Sequence, residues 1–441
     1  IIHYNEVEWE EKQMAKDKKA VVAIAKEPTV QESVTKVFDL LGGVTNMIKR
    51  GETVILKPNA GHAEGPDTAV CTSPETLRAV IREVKKAQPS RIIVAESAAI
   101  GCDTMECFEV SGQADVAREE GVELYDIKAE KDLVNVAVRG YKSNIKRCKI
   151  PRLLLEADHI INLPIMKAHA SMVFSCALKN IKGTVQDQVH SQMHQQNLTM
   201  AMMDVWWAVR PDINIVDAIN VASGYSPHTP TPLEVGIIMG SYDPVALDLI
   251  ACDVVGIDTN QVDYFRAAEE AGLGTTHRDQ IEVVGEQVKD VYKKMWIPYL
   301  GNMADRWPEY DIRCEGACSS CQALLALNME TLKAIGIYEE NSDKTIVVGP
   351  RNTIPEDKPK EKIILHGNCT KRFADKGMWI PGCPPGETGL YLTIKEGQVV
   401  DGEIPGCIEN VIRPSMEADH PIWRAYVEQK AKEFYENPEN Q

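Results

Sequence analysis

The chain has 441 residues, 44% hydrophobic and 26% charged, and carries a net charge of −17. That length allows two or three globular domains, each with its own core. The acidic balance excludes nucleic acid and anionic membrane as main partners, and no apolar run reaches membrane-spanning length.

The start, Ile1-Ile2-His3-Tyr4-Asn5-Glu6, has no signal-peptide pattern, and the missing initiator methionine leaves a removed leader open. Up to about residue 285, apolar β-branched runs alternate with helical stretches. Strands are expected at Val21–Ala25, Thr53–Leu56, Arg91–Ala95, His159–Ile161, Ile213–Val216 and Val235–Met239. Helices are expected at Glu32–Lys49, Pro74–Lys86, Leu198–Ala208 and Pro244–Val255, the last capped by Asp243. The alternation predicts an α/β domain over residues 1–290 with a mostly parallel, covered sheet. A Trp/Tyr/Met-rich connection between Glu286 and Cys314 then leads to a smaller α+β cysteine-cluster domain over 291–441. Its expected elements are a helix near Ala323–Ile335, strands at Thr345–Val348 and Lys362–Leu365, and a helix at Pro421–Tyr435.

Ligands of open α/β sheets bind beyond the carboxyl ends of the strands. Those ends carry Lys57 and Asn59, Glu96, Asn162 with Lys167 and His169, Asp217, and Ser241 with Asp243. Lys179-Asn180-Ile181-Lys182-Gly183 adds further basic charge. A basic focus on an acidic chain predicts a crevice for a small anion, carboxylate or phosphate. In this reading Lys57, Lys167 and His169 are catalytic, His169 moving protons. Asn59, Glu96, Lys179, Asn180 and Asp217 bind or orient the substrate. The competing reading makes the lysines solvated surface charges and Asp243 a helix cap. His190 and His194 share a helix face but lack the acidic residue of a zincin, which points to polar helix residues beside a loop. There is no Rossmann G-x-G-x-x-G after the first strand and no Walker A.

Cys314, Cys318 and Cys321 fall within eight residues, and Cys383 follows in Pro381-Gly382-Cys383-Pro384-Pro385. Such thiols suit one metal centre better than disulfides, and the spacing is irregular for structural zinc. A [4Fe–4S] cluster on Cys314, Cys318, Cys321 and Cys383 is expected, with Cys369 and Cys407 as alternative fourth ligands. A zinc knot or unligated thiols are the competing readings. Twelve cysteines without a secretory pattern indicate a reducing, cytoplasmic setting, and with fifteen methionines they suit an anaerobe.

Lys57-Pro58-Asn59, Leu163-Pro-Ile-Met-Lys167-Ala-His169, Lys179-Asn180-Ile-Lys-Gly183 and Asp243-Pro-Val-Ala-Leu-Asp248 together resemble the prokaryotic family called domain of unknown function three-six-two. The resemblance covers roughly Val21 to Asp258 and implies an α/β fold associated with iron–sulfur modules, without an established reaction. Members often carry ferredoxin-like cysteine runs, whereas this chain has C-x₃-C-x₂-C. The same spacing occurs in radical-SAM enzymes, but there it opens the core and here it follows a finished α/β domain. The Gly-Cys-Pro-Pro element is similar to cluster-ligand segments of hydrogenase- and quinone-reductase-type subunits. A looser likeness links the His/Lys segment with lactate racemase-like proteins, from which no residue is carried over.

Three functions are therefore in competition. The first is an iron–sulfur redox enzyme, or a lyase or dehydratase if one iron stays open, acting on an anionic small molecule with a redox partner protein. The second is an electron-transfer or scaffold subunit without its own substrate. The third is a zinc-stabilised hydrolase or isomerase.

Overall fold

The computed structural model describes residues 19–440 except 139–142, 144, 146, 171, 196, 228, 299–304 and 403. The chain divides into two compact units: one formed by residues up to Ala168 together with Phe174–Met295, the other by His169–Val173 and Trp296–Asn440. The opening hexapeptide lies outside the described residues.

The first unit is built on β1 (Ala20–Ala25), β2 (Thr53–Lys57), β3 (Arg91–Glu96) and β4 (Glu123–Asp126). A two-stranded pair, β5 (Leu133–Ala137) and β6 (Arg147–Pro151), precedes β7 (His159–Asn162). Then come β8 (Ile165–His169), β9 (Val173–Ser175), β10 (Ile213–Tyr225), β11 (Thr229–Ser241) and β12 (Ile281–Gly285). The main sheet runs β12-β1-β11-β10-β7-β2-β3-β4, with β8 beside β10 and β9 beside β8. Only the β11 pairings, to β1 and β10, run antiparallel in that main path. This is the α/β class, with a mostly parallel sheet covered by helices.

Each helix has a local cause. Ser73 caps Pro74–Lys85 through a bond from the Thr76 amide to its hydroxyl, and Pro74 fits the first helical position. Leu77, Val80, Ile81 and Val84 recur at helical spacing and enter the same core as Val54, Leu56 and Val94. The run expected as one helix over Glu32–Lys49 is split. A capping box of Thr29 and Glu32 starts Val30–Leu40, and Gly42 and Gly43, at φ 103° and 86°, turn the chain before Val44–Met47. The strands expected at Ile213–Val216 and Val235–Met239 are also longer, thirteen residues each, because they pair as a hairpin beyond a bulge at Ala218/Asn220. Their outer halves carry polar and proline residues, which hid the strand signal.

The parallel strands bring side chains together at one edge. Lys57 pairs in register with Asn162, and Asn162 with Asn214. Glu96 ends β3, next to β2.

The second unit holds a parallel sheet in simple order: β13 (Asp311–Arg313), β14 (Thr345–Val348), β15 (Ile363–His366) and β16 (Met378–Ile380). The helix Ser319–Ala334 joins β13 to β14, and a 3₁₀ segment Asn368–Phe373 follows β15. Val347, Ile363 and Leu365 form one face with Ile354, Phe373 and Trp379. The other face lies beneath the helix Gly389–Glu396, since a Cβ on Gly389 would stand 3.2 Å from Ile380 Cγ2. The helix expected at Pro421–Tyr435 runs from Arg413 to Glu436 and keeps Pro421 inside. Among the described residues no helix is long and apolar enough to cross a membrane.

Candidate functional site

The carboxyl edge of the first sheet gathers four lysines around a single carboxylate. Lys57 is fully buried, and its Nζ donates to Glu96 Oε2 at 2.9 Å and to the Pro58 carbonyl at 2.8 Å. Glu96 also accepts from the Ala60 amide at 3.0 Å and the Ser97 amide at 2.8 Å. Burial pushes the Lys57 ammonium down and the Glu96 carboxyl up, and each charge is the main influence opposing the other's shift. Gly183 lies against this pair: a Cβ there would fall 1.6 Å from Glu96 Oε1 and 2.6 Å from Lys57 Nζ. Only glycine allows the 181–184 turn to close over the pair, and the Gly183 carbonyl also accepts from the Ser97 amide.

Lys167 is buried, and among the described residues its Nζ donates to two neutral oxygens, Asn59 Oδ1 at 3.1 Å and the Val70 carbonyl at 3.0 Å. Burial lowers it to about 8 despite the nearby Cys71 and Glu96 charges. Lys182 is lowered to about 8 by burial and by Lys167, and its Nζ stands 2.7 Å from His194 Nε2. Lys179 is pushed well below the usual ammonium range by burial and then by the charges of Lys182, Lys167 and Lys57. No carboxylate is paired with Lys167, Lys179 or Lys182 among the described ion pairs. The arrangement is a concentration of positive charge that a small anion would relieve.

Neighbouring amides hold these cations in place. Asn180 is buried and donates to the Lys57 and Pro58 carbonyls, each at 3.2 Å, and to Asn162 Oδ1 at 2.8 Å, while accepting from Asn59. Asn162 in turn donates to Asn214 Oδ1 at 2.9 Å. Asn59 and Asn180, expected to touch substrate, here bond Lys167 Nζ and the Lys57 and Pro58 carbonyls.

Two other expected residues, Asp217 and His169, lie on β10 and β8. Asp217 accepts from the Ser73 amide at 2.7 Å and the Ile219 amide at 3.2 Å, so it anchors the start of a helix and its own bulge. Burial raises its carboxyl, which these amides counteract. His169 is the last residue of β8 and is grouped with the second unit. The histidines at the lysines are His190 and His194, on the helix Asp187–Gln195. His190 Nε2 lies 2.5 Å from the Lys182 carbonyl. His194 is driven strongly toward neutrality by burial, then by Lys182 and Lys179. Read alone, their four-residue spacing resembles an ordinary helix face, and only tertiary structure brings Lys182 to them. Asp243 caps its helix, its Oδ1 accepting from the Val245 and Ala246 amides at 2.8 Å each.

The second unit places its cysteines at the carboxyl edge of its own sheet. Cys314 follows β13, Cys318 and Cys321 open the helix Ser319–Ala334, Cys369 follows β15 and Cys383 follows β16. The two last loops are zipped together by the Asn368 amide on the Gly382 carbonyl at 2.8 Å and the Gly382 amide on Asn368 Oδ1 at 3.0 Å. Cys321 donates to Cys318, and that bond, with the amides opening the helix, lowers Cys318 to about 6. Cys321 is raised by this same bond, by burial, and by the charges of Cys318, Cys369 and Cys383. Burial raises Cys369, with Cys318 and Cys383 adding to it. Cys314 differs: burial raises its thiol, and the charge that acts on it is Asp305. Four thiols therefore share one electrostatic neighbourhood, Cys318, Cys321, Cys369 and Cys383. β15 delivers Cys369 to the edge where β16 delivers Cys383, and Cys314 leaves β13 at the carboxyl edge of the same sheet. Cys407, the other alternative, is buried at the Ile408–Ile412 turn near the C-terminal helix. Among the described residues no three His, Cys, Asp or Glu side chains converge closely enough to hold a single metal ion.

His366, the last residue of β15, was not singled out by sequence. It is fully buried, and neither ring nitrogen has a hydrogen-bond partner among the described residues. Burial lowers it to about 4, and each orphaned polar group of this kind costs about 1–3 kcal/mol.

The family described as domain of unknown function (DUF362) matches residues 54–253. That range contains the whole lysine edge and none of the cysteine edge. A thylakoid-associated protein of Synechocystis sp. is 27% identical over 255 residues, 55% of this chain and 75% of that protein. The lactate racemase apoprotein from Thermoanaerobacterium thermosaccharolyticum aligns with a TM-score of 0.37 and 14% identity. The alignment takes in 55% of this chain and 58% of the racemase, so under two thirds of that enzyme is spanned. A crystal structure of a Thermotoga maritima protein aligns with a TM-score of 0.31 and 14% identity, over 81% of this chain and 96% of that one.

Proposed function

We propose that this chain is an iron–sulfur redox enzyme that binds a small anionic substrate, a carboxylate or phosphate, at the lysine edge of its first unit. The observation that carries this reading is Lys167, Lys179 and Lys182 drawn together beside one carboxylate already engaged by Lys57. A scaffold has no use for such mutual repulsion, whereas an anion converts it into binding energy. Lys179 and Lys167 would hold the anion's charge, Asn59 and Glu96 would fix the lysines, and Lys182 with His194 would hold one proton between two nitrogens. His169 has no role in this reading.

A [4Fe–4S] cluster fits the second unit's donor set, with Cys318, Cys321, Cys369 and Cys383 as its ligands. Thiolate character at Cys318 and the amides of a helix N-terminus favour an anionic cluster there. When bound, such a group supplies one-electron transfer. A redox partner protein would complete the activity.

Isothermal titration with inorganic phosphate and with oxalate tests the anion site. Binding is expected near pH 7 and weaker as pH rises through about 8, where Lys167 and Lys182 lose their protons. Lys179→Met should weaken it about tenfold or more, the effect of one charge-assisted contact. Absence of binding, or affinity indifferent both to pH and to Lys179→Met, would contradict the assignment.

A further inference from the structure

Two lysines at the carboxyl edge of the first unit are held in opposite ways. Lys57 faces Glu96 at 2.9 Å, a carboxylate whose charge favours the ammonium form. Lys167 on β8 meets neutral oxygens instead, Asn59 Oδ1 at 3.1 Å and the Val70 carbonyl at 3.0 Å. The orientation of Asn59 is set by its own amide nitrogen, which donates to Asn180 Oδ1 at 2.8 Å. An uncharged amine has two N–H groups and one lone pair. Two neutral acceptors therefore take both N–H groups and leave the lone pair unengaged. The charged and titratable groups facing Lys167 are Cys71, Glu96, Lys57, Lys179 and Lys182. Cys71 is a neutral thiol, raised to about 11 by burial, and Glu96 is already paired with Lys57. Burial lowers Lys167 to about 8, with Lys57 adding to it against Cys71 and Glu96. A desolvated lysine beside other cations is the setting in which this side chain becomes a nucleophile. Asn59, Lys179 and Lys182 are each partly exposed, so the edge opens to solvent beside the buried amine.

We propose that Lys167 is a nucleophilic amine that forms an imine with the carbonyl carbon of a 2-oxo acid, whose carboxylate Lys179 and Lys182 hold. The inference rests on the anion-site reading above and names its substrate class. Nζ attacks the carbonyl carbon to form the C–N bond, and both amine protons leave with the carbonyl oxygen as water. No oxidant or reductant is consumed. Protonation of the imine restores one positive charge next to the substrate carboxylate. Lys179 and Lys182 both feel the Lys167 charge, which suits a substrate whose anion adjoins its carbonyl.

The test treats the full chain with pyruvate and sodium cyanoborohydride, then locates modified lysines by peptide mass spectrometry. One reduced pyruvate per chain, attached to Lys167, is expected, and excess oxalate should suppress it by competing for the anion site. Oxalate binding without any adduct on Lys167 overturns the imine and leaves the anion site intact. Adducts on other lysines only also overturn it. A protein that binds neither pyruvate nor oxalate overturns both readings. Attachment is read on the wild-type chain, so the outcome does not depend on a variant folding.

Discussion

Cys369→Ser is expected to strip most of the iron from anaerobically purified protein, while Cys314→Ser keeps it. The two residues look alike in sequence, and Cys314 even belongs to the tight Cys314-x₃-Cys318-x₂-Cys321 run. The structure separates them by strand. Cys314 leaves β13, and Asp305 is the charge acting on it, whereas Cys369 leaves β15 and is raised partly by Cys318 and Cys383. Losing one thiolate from a four-cysteine site removes a quarter of its ligands, so iron should fall from about four per chain to well under half of that. Iron analysis with the visible spectrum reads both variants in one preparation. Retention of iron by Cys369→Ser together with its loss in Cys314→Ser would reverse the ligand assignment.

Glu96→Gln should destabilise the first unit by about 3–5 kcal/mol, the usual effect of removing one partner from a buried ion pair. Lys57 would keep its charge in a fully buried position facing only neutral oxygens, the Pro58 carbonyl and the glutamine's own amide. Gly183→Ala should have an effect of similar size by a different route, because its Cβ would fall 1.6 Å from Glu96 Oε1. The double variant Lys57→Met with Glu96→Leu should lose far less than the two single losses added together, since an apolar pair carries no uncompensated charge. Urea denaturation followed by circular dichroism measures all of these. Additive losses in the double variant would show that the two groups do not act as a buried pair.

Much of the α/β architecture was legible because buried parallel strands read as short apolar β-branched runs and their helices as amphipathic stretches. Lys57 and Glu96 stood out for a related reason, since a charged residue directly after such a run marks the carboxyl edge of the sheet, whereas Lys167 lies inside β8 and Lys179 on the helix Ala177–Asn180. Asn59 and Asp217 follow strand runs as well, yet they bond an amide side chain, Lys167 and backbone amides, as Asn180 bonds backbone carbonyls and amide side chains. Sequence cannot separate an amide that waits for a ligand from one already satisfied. His194 was hidden because its partner Lys182 is twelve positions away and reaches it only through the packing of the 181–184 turn. Gly183 closes a motif in the sequence, but its purpose was hidden, since the need for a missing side chain arises from two buried charges distant in sequence. Cys369 was seen only as a spare thiol because it lacks the proline flanks that marked Cys383, and the arrival of β15 and β16 at one edge is invisible in the sequence. His366 reads as the end of an apolar strand, and its missing partners become visible only with burial known.

The most direct measurement is the iron and acid-labile sulfide content of the whole chain purified without oxygen, with an EPR spectrum after reduction. About four iron and four sulfide per chain with a reducible cluster signal is the predicted result. One zinc per chain with no sulfide would contradict the redox assignment and reduce the cysteine edge to a structural element.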